Sequence, residues 1–114
     1  MYNSKITIDV RRDDSKLVDK INWNATDSSA EEMQLAKAMM LSFWDNAEKT
    51  ALRMDLWTKD MMVDEMTDFF YQTFITMADT YSRATRYEEL SDDIKTFAKE
   101  FLNKFRALQA KENK

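Results

Sequence analysis

The chain has 114 residues, of which 17 are Lys or Arg and 21 are Asp or Glu, giving a net charge of −4. It contains no Cys, His, Gly or Pro. Without Cys and His there are no disulfides, no thiolate or imidazole metal ligands, and no Ser-His-Asp triad. Without Gly there is no P-loop or dinucleotide-binding loop, because both need Gly where the backbone approaches phosphate. We therefore expect no enzyme, no cofactor and no metal.

The length and composition are typical of one folded domain spanning residues 1–114, with 44% hydrophobic and 33% charged residues. The N-terminal segment MYNSKITIDV lacks the apolar stretch of a signal peptide, and no apolar run is long enough to span a membrane. We expect a cytoplasmic protein without membrane insertion. The acidic net charge disfavours nucleic-acid binding, and the basic residues after Leu102 are interpreted as favourable charges at a helix C-terminus.

Two alternating segments, KITIDV and LVDKINWNA, predict a first β-hairpin whose polar connection is RRDDSK. A turn at the two central Asp residues brings Val10 opposite Leu17 and Ile6 opposite Ile21, so that both apolar sets share one face. Asp19 interrupts this pattern. Either a β-bulge beside it or an exposed position at the rim of the sheet accounts for the interruption, and the pattern does not choose between them.

The segments KAMMLSFWD and TALRMDLW predict a second hairpin around DNAE, which completes a set of strands within residues 4–57. Pairing Asp45 with Glu48 places six apolar residues on one face: Met39, Leu41, Phe43, Leu52, Met54 and Leu56. The opposite face is mixed and contains Met40, Trp44 and Trp57 beside polar residues. Because the third strand is apolar on both sides, its second face is a candidate interface.

From Thr58 onward the apolar period becomes helical, predicting helices over residues 60–83 and 86–110. The first apolar stripe consists of Val63, Met66, Phe70, Phe74, Met77 and Tyr81. The second consists of Tyr87, Leu90, Ile94, Phe97, Phe101, Phe105 and Leu108, and Thr85 with Glu88 has the spacing of a capping box. The predicted fold is α+β, a four-stranded antiparallel meander followed by two amphipathic helices packed on one of its faces.

Asp60, Asp64 and Asp68 would form one acidic row on a helix, where two carboxylates could bridge a divalent cation. We favour a structural interpretation, because acids near a helix N-terminus interact favourably with its exposed N–H groups and one helix face supplies too few ligands. Asp55 with Asp60 is a formal acid/base pair, but the sequence shows no cleft between unlike environments. No metal ligand and no catalytic residue is predicted.

The stretch from Lys37 to Thr85 resembles the GldC-like family of gliding-motility-associated proteins of Bacteroidetes, most specifically in the runs SFWD, ALRMDLWTKDM, VDEM, FFYQT and TMADTY. The resemblance implies an accessory protein of the gliding machinery, which is tied to a dedicated secretion system and a motor. It implies no enzymatic activity, so there are no catalytic residues to carry over. In the family that the chain resembles, Pro is often found near position 62 and Gly near position 86, where this chain has Met62 and Arg86.

Aromatic residues and Met that do not fit the core stripes are the candidate protein-binding residues, since such side chains anchor interfaces. They are Met40, Trp44, Trp57, Met61, Met62 and Tyr71. Two functional classes follow. The first is an adaptor that binds a protein of the gliding machinery, and a homodimer is a possible oligomeric state of such an adaptor. The second is an acidic chaperone or peptide-binding module similar in outline to the export chaperone SecB, an analogy of topology and charge.

Overall fold

The computed structural model describes residues 1–113 in two compact units, one comprising Met1–Met61 and the other beginning at Met62. The first unit contains β1 (Ile6–Arg12), β2 (Val18–Ala25), β3 (Gln34–Ala36), β4 (Ala38–Trp44) and β5 (Ala51–Trp57). The second contains α1 (Val63–Thr85) and α2 (Glu88–Glu112). The predicted α+β class is confirmed. A single domain over residues 1–114 stays a prediction, as does the packing of the helices on the sheet, and Lys114 lies outside the described residues.

The first sheet is antiparallel with strand order β1-β2-β3. The apolar residues of β1 and β2 share a face as predicted, but Val10 pairs with Ile21 and Ile6 pairs with Ala25. The predicted register was therefore wrong by four residues of β2. The ladder shifts between Arg11 and Arg12, which leaves Asp19 as the extra residue on β2. Of the two explanations for Asp19, the structure shows the β-bulge.

The register differs because the turn between β1 and β2 is longer than a two-residue tip. The Asp13 N–H donates to the Leu17 carbonyl at 2.9 Å, closing a five-residue loop. Its carboxylate Oδ1 accepts hydrogen bonds from the N–H groups of Ser15 at 2.8 Å and Leu17 at 3.0 Å. This local bonding by an Asp side chain is what turns use when Gly is absent. Lys16 takes the left-handed conformation there, with φ 68°.

In the second sheet β4 pairs with β5, and the predicted apolar face is confirmed. Phe43 pairs with Leu52, and the next two apolar pairs follow in the same register. The predicted pairing of Asp45 with Glu48 was wrong by two residues of the following strand, because the Asp45 N–H donates to the Thr50 carbonyl at 2.8 Å and closes a longer loop. The Asp45 carboxylate accepts the N–H groups of Ala47 and Glu48 inside the loop. Both hairpin loops are thus stabilised by an Asp at their first position.

The prediction of one four-stranded meander was wrong, because the third strand is divided at Lys37. Ala36 pairs with Ile21 of the first sheet, whereas Ala38 pairs with Trp57 of the second. The chain after β5 follows this change of partner: the Thr58 N–H donates to the Lys37 carbonyl at 2.7 Å. The strand order along the chain is that of a meander, but the ladder is broken into sheets of three and two strands.

The two helices form an antiparallel hairpin. Phe74 of α1 contacts Phe97 and Phe101 of α2 edge to face, with ring centroids 5.6 Å and 5.4 Å apart. Ala78 and Ala98 are completely buried. Small residues at a helix contact allow the backbones to approach closely, so the interface is built from alanines flanked by phenylalanines.

The helix ends differ from the predicted ones by two or three residues. The Met62 N–H donates to Glu65 Oε1 at 3.0 Å, so α1 begins after Met62. The predicted capping box of Thr85 and Glu88 was wrong. Thr85 is the last residue of α1, and its hydroxyl donates to the Tyr81 carbonyl at 2.8 Å. Arg86 ends the helix with φ 68°, a conformation that glycine adopts more easily than any other residue.

Candidate protein-interaction surfaces

The two tryptophans of the second hairpin lie on the same face but at opposite ends of it. Trp44 pairs with Ala51 and is 70% exposed, and Trp57 pairs with Ala38 and is 56% exposed. Ala38 and Trp44 are six residues apart along β4, which corresponds to about 20 Å. The two rings therefore share a face without contacting each other, and each has its own surroundings.

Trp57 lies in a cleft of about 260 Å³ in the first unit, which we call the Trp57 cleft. Its lining combines apolar side chains with three cations and one carboxylate; the lining residues are Arg12, Lys16, Leu17, Val18, Asp55, Leu56, Trp57 and Lys59. A half-exposed indole beside Arg and Lys suits an aromatic or acidic side chain of a partner.

Ion pairs anchor one side of the Trp57 cleft. Lys59 Nζ lies 2.9 Å from Asp13 Oδ2 and 3.7 Å from Asp19 Oδ1, and Arg11 pairs with Asp19 at 2.7 Å. The hydrogen bond from Lys59 lowers the pKa of Asp13, and the one from Arg11 lowers the pKa of Asp19. The Asp13 carboxylate in turn raises the pKa of Lys59. The cluster fixes the β1–β2 turn and the bulge against the segment that follows β5.

A second concavity, the sheet groove, has a volume of about 280 Å³ and is almost wholly apolar. It is lined by Ile6, Ile8, Ile21, Trp23, Ala36, Ala38, Met39 and Met40. Of the predicted interface residues it contains Met40. Ile6, Ile8 and Trp23 were not among the predicted contacts, because their alternation identified an apolar face that we expected to be core. Ile6 is 72% exposed, so this end of the face is open.

The carboxylates singled out in the sequence do not form a site. Asp55 makes a two-point ion pair with Arg53 of the same strand, at 2.9 Å and 3.1 Å. Asp60 precedes α1, so it does not share a helical row with the two later acids; the Thr58 hydroxyl donates to it and lowers its pKa. Within residues 1–113 no group of three acids could hold a metal ion.

The remaining predicted interface residues flank the boundary between the units or lie on α1. Met61 is half-buried, and its N–H donates to the Thr58 carbonyl at 3.1 Å. Met62 is exposed at the start of α1. Tyr71 is half-buried and falls at helical spacing between Thr67 and Ala78, both buried. Its position along α1 is therefore on the side that packs against α2.

The helix hairpin has an open apolar side that the sequence pattern had indicated as core. We call it the helical face; it comprises Val63, Phe70, Met77, Tyr81, Leu90, Phe97 and Leu108, all exposed. Phe97, for example, remains 54% exposed although one of its edges contacts Phe74. A contiguous set of large exposed apolar residues is uncommon on an isolated soluble chain and marks a surface for association.

The family model of gliding motility-associated proteins described as GldC-like matches residues 18–107. The chain belongs to the GldC-like family. The match runs from the first residue of β2 to the last turns of α2, so it includes the β4–β5 hairpin, Met40, Trp57 and most of the helical face. No curated protein and no solved structure matches this GldC-like chain. None of its described helices combines the length and the hydropathy needed to cross a membrane.

Proposed function

We propose that this GldC-like chain is a non-enzymatic adaptor of the gliding-motility apparatus, and that it binds an extended apolar segment of another protein of the apparatus in the sheet groove. The supporting observation is the groove itself, about 280 Å³ and lined by Ile, Ala, Met and Trp side chains. β1 is an edge strand of that sheet, and strand edges beside apolar pockets suit extended peptides.

Among the predicted interface residues, the proposal gives the leading roles to Met40 and Trp57. Met40 lines the groove, and Trp57 lies in the cleft whose lining includes Arg12, Lys16 and Lys59. A partner segment with an acidic or aromatic residue would complement that cleft. Trp44, Met61, Met62 and Tyr71 remain proposed contacts of lesser weight. The adaptor is proposed to act in the cytoplasm, which fractionation of the cells of origin would test.

The test is affinity purification of the tagged chain from its own cells, comparing the wild type with Ile6→Glu and Met40→Glu. A charge in the groove should remove a co-purifying gliding protein, because a buried carboxylate has no partner there. The matched control is Leu35→Glu. Leu35 is 71% exposed and pairs with Asn22, so it lies on the opposite face of the same sheet. Retention of the partner by both groove variants, with loss in the Leu35 variant, would contradict the proposal.

The second candidate function is the SecB-like chaperone. The observation that favours it is the amount of exposed apolar surface, such as Leu35 and Phe43, which an unfolded client could contact. A chaperone of this kind should be tetrameric and should suppress aggregation of a denatured test protein. The adaptor should form no tetramer and should leave that aggregation unchanged. Light scattering and an aggregation assay on the purified chain distinguish the two.

A further inference from the structure

One edge of the helical face has a charge pattern that is complementary to itself. Leu90, Phe97 and Leu108 form an apolar stripe along α2 and are 48%, 54% and 50% exposed. Beside the stripe, in the direction away from α1, lie four exposed charged residues in the order acid, acid, base, base: Asp93, Glu100, Lys104 and Lys111. At 100° per residue these four fall within about 40° of one another around the helix, so they form one row.

The spacing of the row is symmetric, and its sign is reversed about position 102. Asp93 and Lys111 are equally far from that position, and so are Glu100 and Lys104. A second α2 placed antiparallel across a two-fold axis at position 102 would therefore meet acid with base at both pairs. The same axis brings Phe97 level with Leu108 of the second copy, one residue out of exact register, so the apolar stripe continues the match.

The four charges are available for such a contact. Among residues 1–113 the ion pair that links the two helices is Lys95 with Asp79, at 2.7 Å, and no member of the row takes part in an ion pair. One end of the row is acidic and the other is basic, and neither end is paired within the described residues. The row therefore favours a partner whose charges run in the reverse order.

The first helix extends the match. Because Phe74 contacts Phe101 in an antiparallel pair, position 102 of α2 lies level with about residue 73 of α1. Phe70 and Met77, 37% and 49% exposed, lie on either side of that level. Helix geometry puts their stripe on the same side of the hairpin as that of α2. An axis through position 102 would therefore also bring Phe70 opposite Met77 of the second copy.

We propose that two copies of this chain associate through the helical face as an antiparallel four-helix bundle, with Asp93 facing Lys111 of the second copy and Glu100 facing Lys104 of the second copy. Both copies use the same patch, as a two-fold interface requires. The association is independent of whatever occupies the sheet groove, so it goes beyond the adaptor role. It also separates the two surfaces: one for self-association and one for the partner.

The decisive experiment uses two charge-reversed variants of the full chain, each alone and then mixed, and measures their association by sedimentation equilibrium at low salt. We expect Asp93→Lys/Glu100→Lys and Lys104→Glu/Lys111→Glu each to bind itself about a hundredfold more weakly, because like charges then face each other. An equal mixture should form a heterodimer as tight as the wild type. The control, Asp68→Lys/Asp92→Lys, makes the same change in net charge as Asp93→Lys/Glu100→Lys, but away from the row, and should remain dimeric.

A second measurement does not depend on how well the reversal variants fold. The chain has no Cys, so single cysteines report proximity cleanly. A mixture of Glu100→Cys and Lys104→Cys should form a disulfide-linked heterodimer faster than Asp92→Cys mixed with either. A wild type that is monomeric at about 100 μM, a concentration well above the Kd of a stable dimer, would overturn the proposal. So would a dimer that neither charge reversal weakens, because another surface would then hold it together.

Discussion

Within residues 1–113, four residues have positive φ, and each ends a strand or helix or closes a turn. They are Lys16, Asp27, Lys49 and Arg86, with φ values of 68°, 58°, 52° and 68°. Asp tolerates this region because its short side chain bonds locally, whereas for Lys and Arg the conformation costs about 1–2 kcal/mol each. A chain without Gly therefore carries strain at its turns.

We predict that Arg86→Gly raises the free energy of unfolding by about 1 kcal/mol, since glycine adopts the left-handed conformation without a clash. The backbone bond from Arg86 to the Ser82 carbonyl, 2.8 Å long, is kept. Urea denaturation followed by circular dichroism measures the gain. The control Arg83→Gly, inside the last turn of α1, should lower stability by about 1 kcal/mol. A destabilised Arg86→Gly variant would show that the arginine side chain has a role of its own.

The pH dependence of stability should reflect the ion pairs of Lys59. The pKa values of Asp13 and Asp19 are lowered from 3.8, so their contribution is complete above that pH and is lost as the pH falls through the folded-state values. The pKa of Lys59 is raised from 10.5, so its contribution is present below that value and is lost above it.

Lys59→Met should therefore lower stability between these pH limits and make its pH dependence flatter. We expect the difference in urea midpoint between the wild type and this variant to be largest near neutrality and to shrink below about pH 4. Lys20→Met on β2 is the control, because Lys20 makes no ion pair within residues 1–113. Equal pH profiles for wild type and Lys59→Met would mean that solvent screens the cluster completely.

At the scale of elements, the sequence predicted which segments are strands and helices better than it predicted their partners. The face of Met39, Leu41 and Phe43 followed from strict alternation, which fixes the side of a strand. The division of the third predicted strand at Lys37 leaves that alternation intact and changes only the strand with which each part pairs. The local sequence pattern therefore does not predict the division. The predicted register of β1 with β2 was wrong because Asp13 closes a longer loop than the residue types alone indicate.

The contact between the helices should be intolerant of larger side chains. Ala78 and Ala98 have no exposed surface, so Ala98→Leu must push the helices apart. We predict a loss of about 1–3 kcal/mol, the usual effect of inserting methylenes into a packed interface. Thermal unfolding measures it, and Ala110→Leu, exposed on the same helix, should change stability little. Equal stability of the two variants would show that the helices can separate locally without penalty.

At the scale of the molecule, periodicity predicted the apolar faces but not what covers them. Ile6 and Phe97 both fit core patterns, yet they are 72% and 54% exposed. Hydrophobic spacing tells which side of an element avoids water, and a partner satisfies that requirement as well as a core does. The Trp57 cleft could not be foreseen, because Arg12 and Lys59 meet there from segments far apart in the chain.

Removing the exposed indoles should affect binding more than folding. We predict that Trp44→Ala and Trp57→Ala lower the free energy of unfolding by no more than about 1 kcal/mol, as is usual at exposed positions. Both should weaken recovery of the protein partner, Trp57→Ala more strongly because its ring lies in a formed cleft. Recovery measured beside thermal unfolding distinguishes the effects. Unfolding of either variant would place that tryptophan in the core.

The break at Lys37 bears on local opening of the chain in the native state. β2 is the central strand of its sheet and holds Ile21, 1% exposed, whereas β4 and β5 pair with each other alone in theirs. Protection from hydrogen exchange follows such differences in burial and pairing. We expect the amides of β4 and β5 to exchange before those of β2, as measured by mass spectrometry. Since Ala38, Met39 and Met40 belong to β4, the sheet groove would widen each time that hairpin opens.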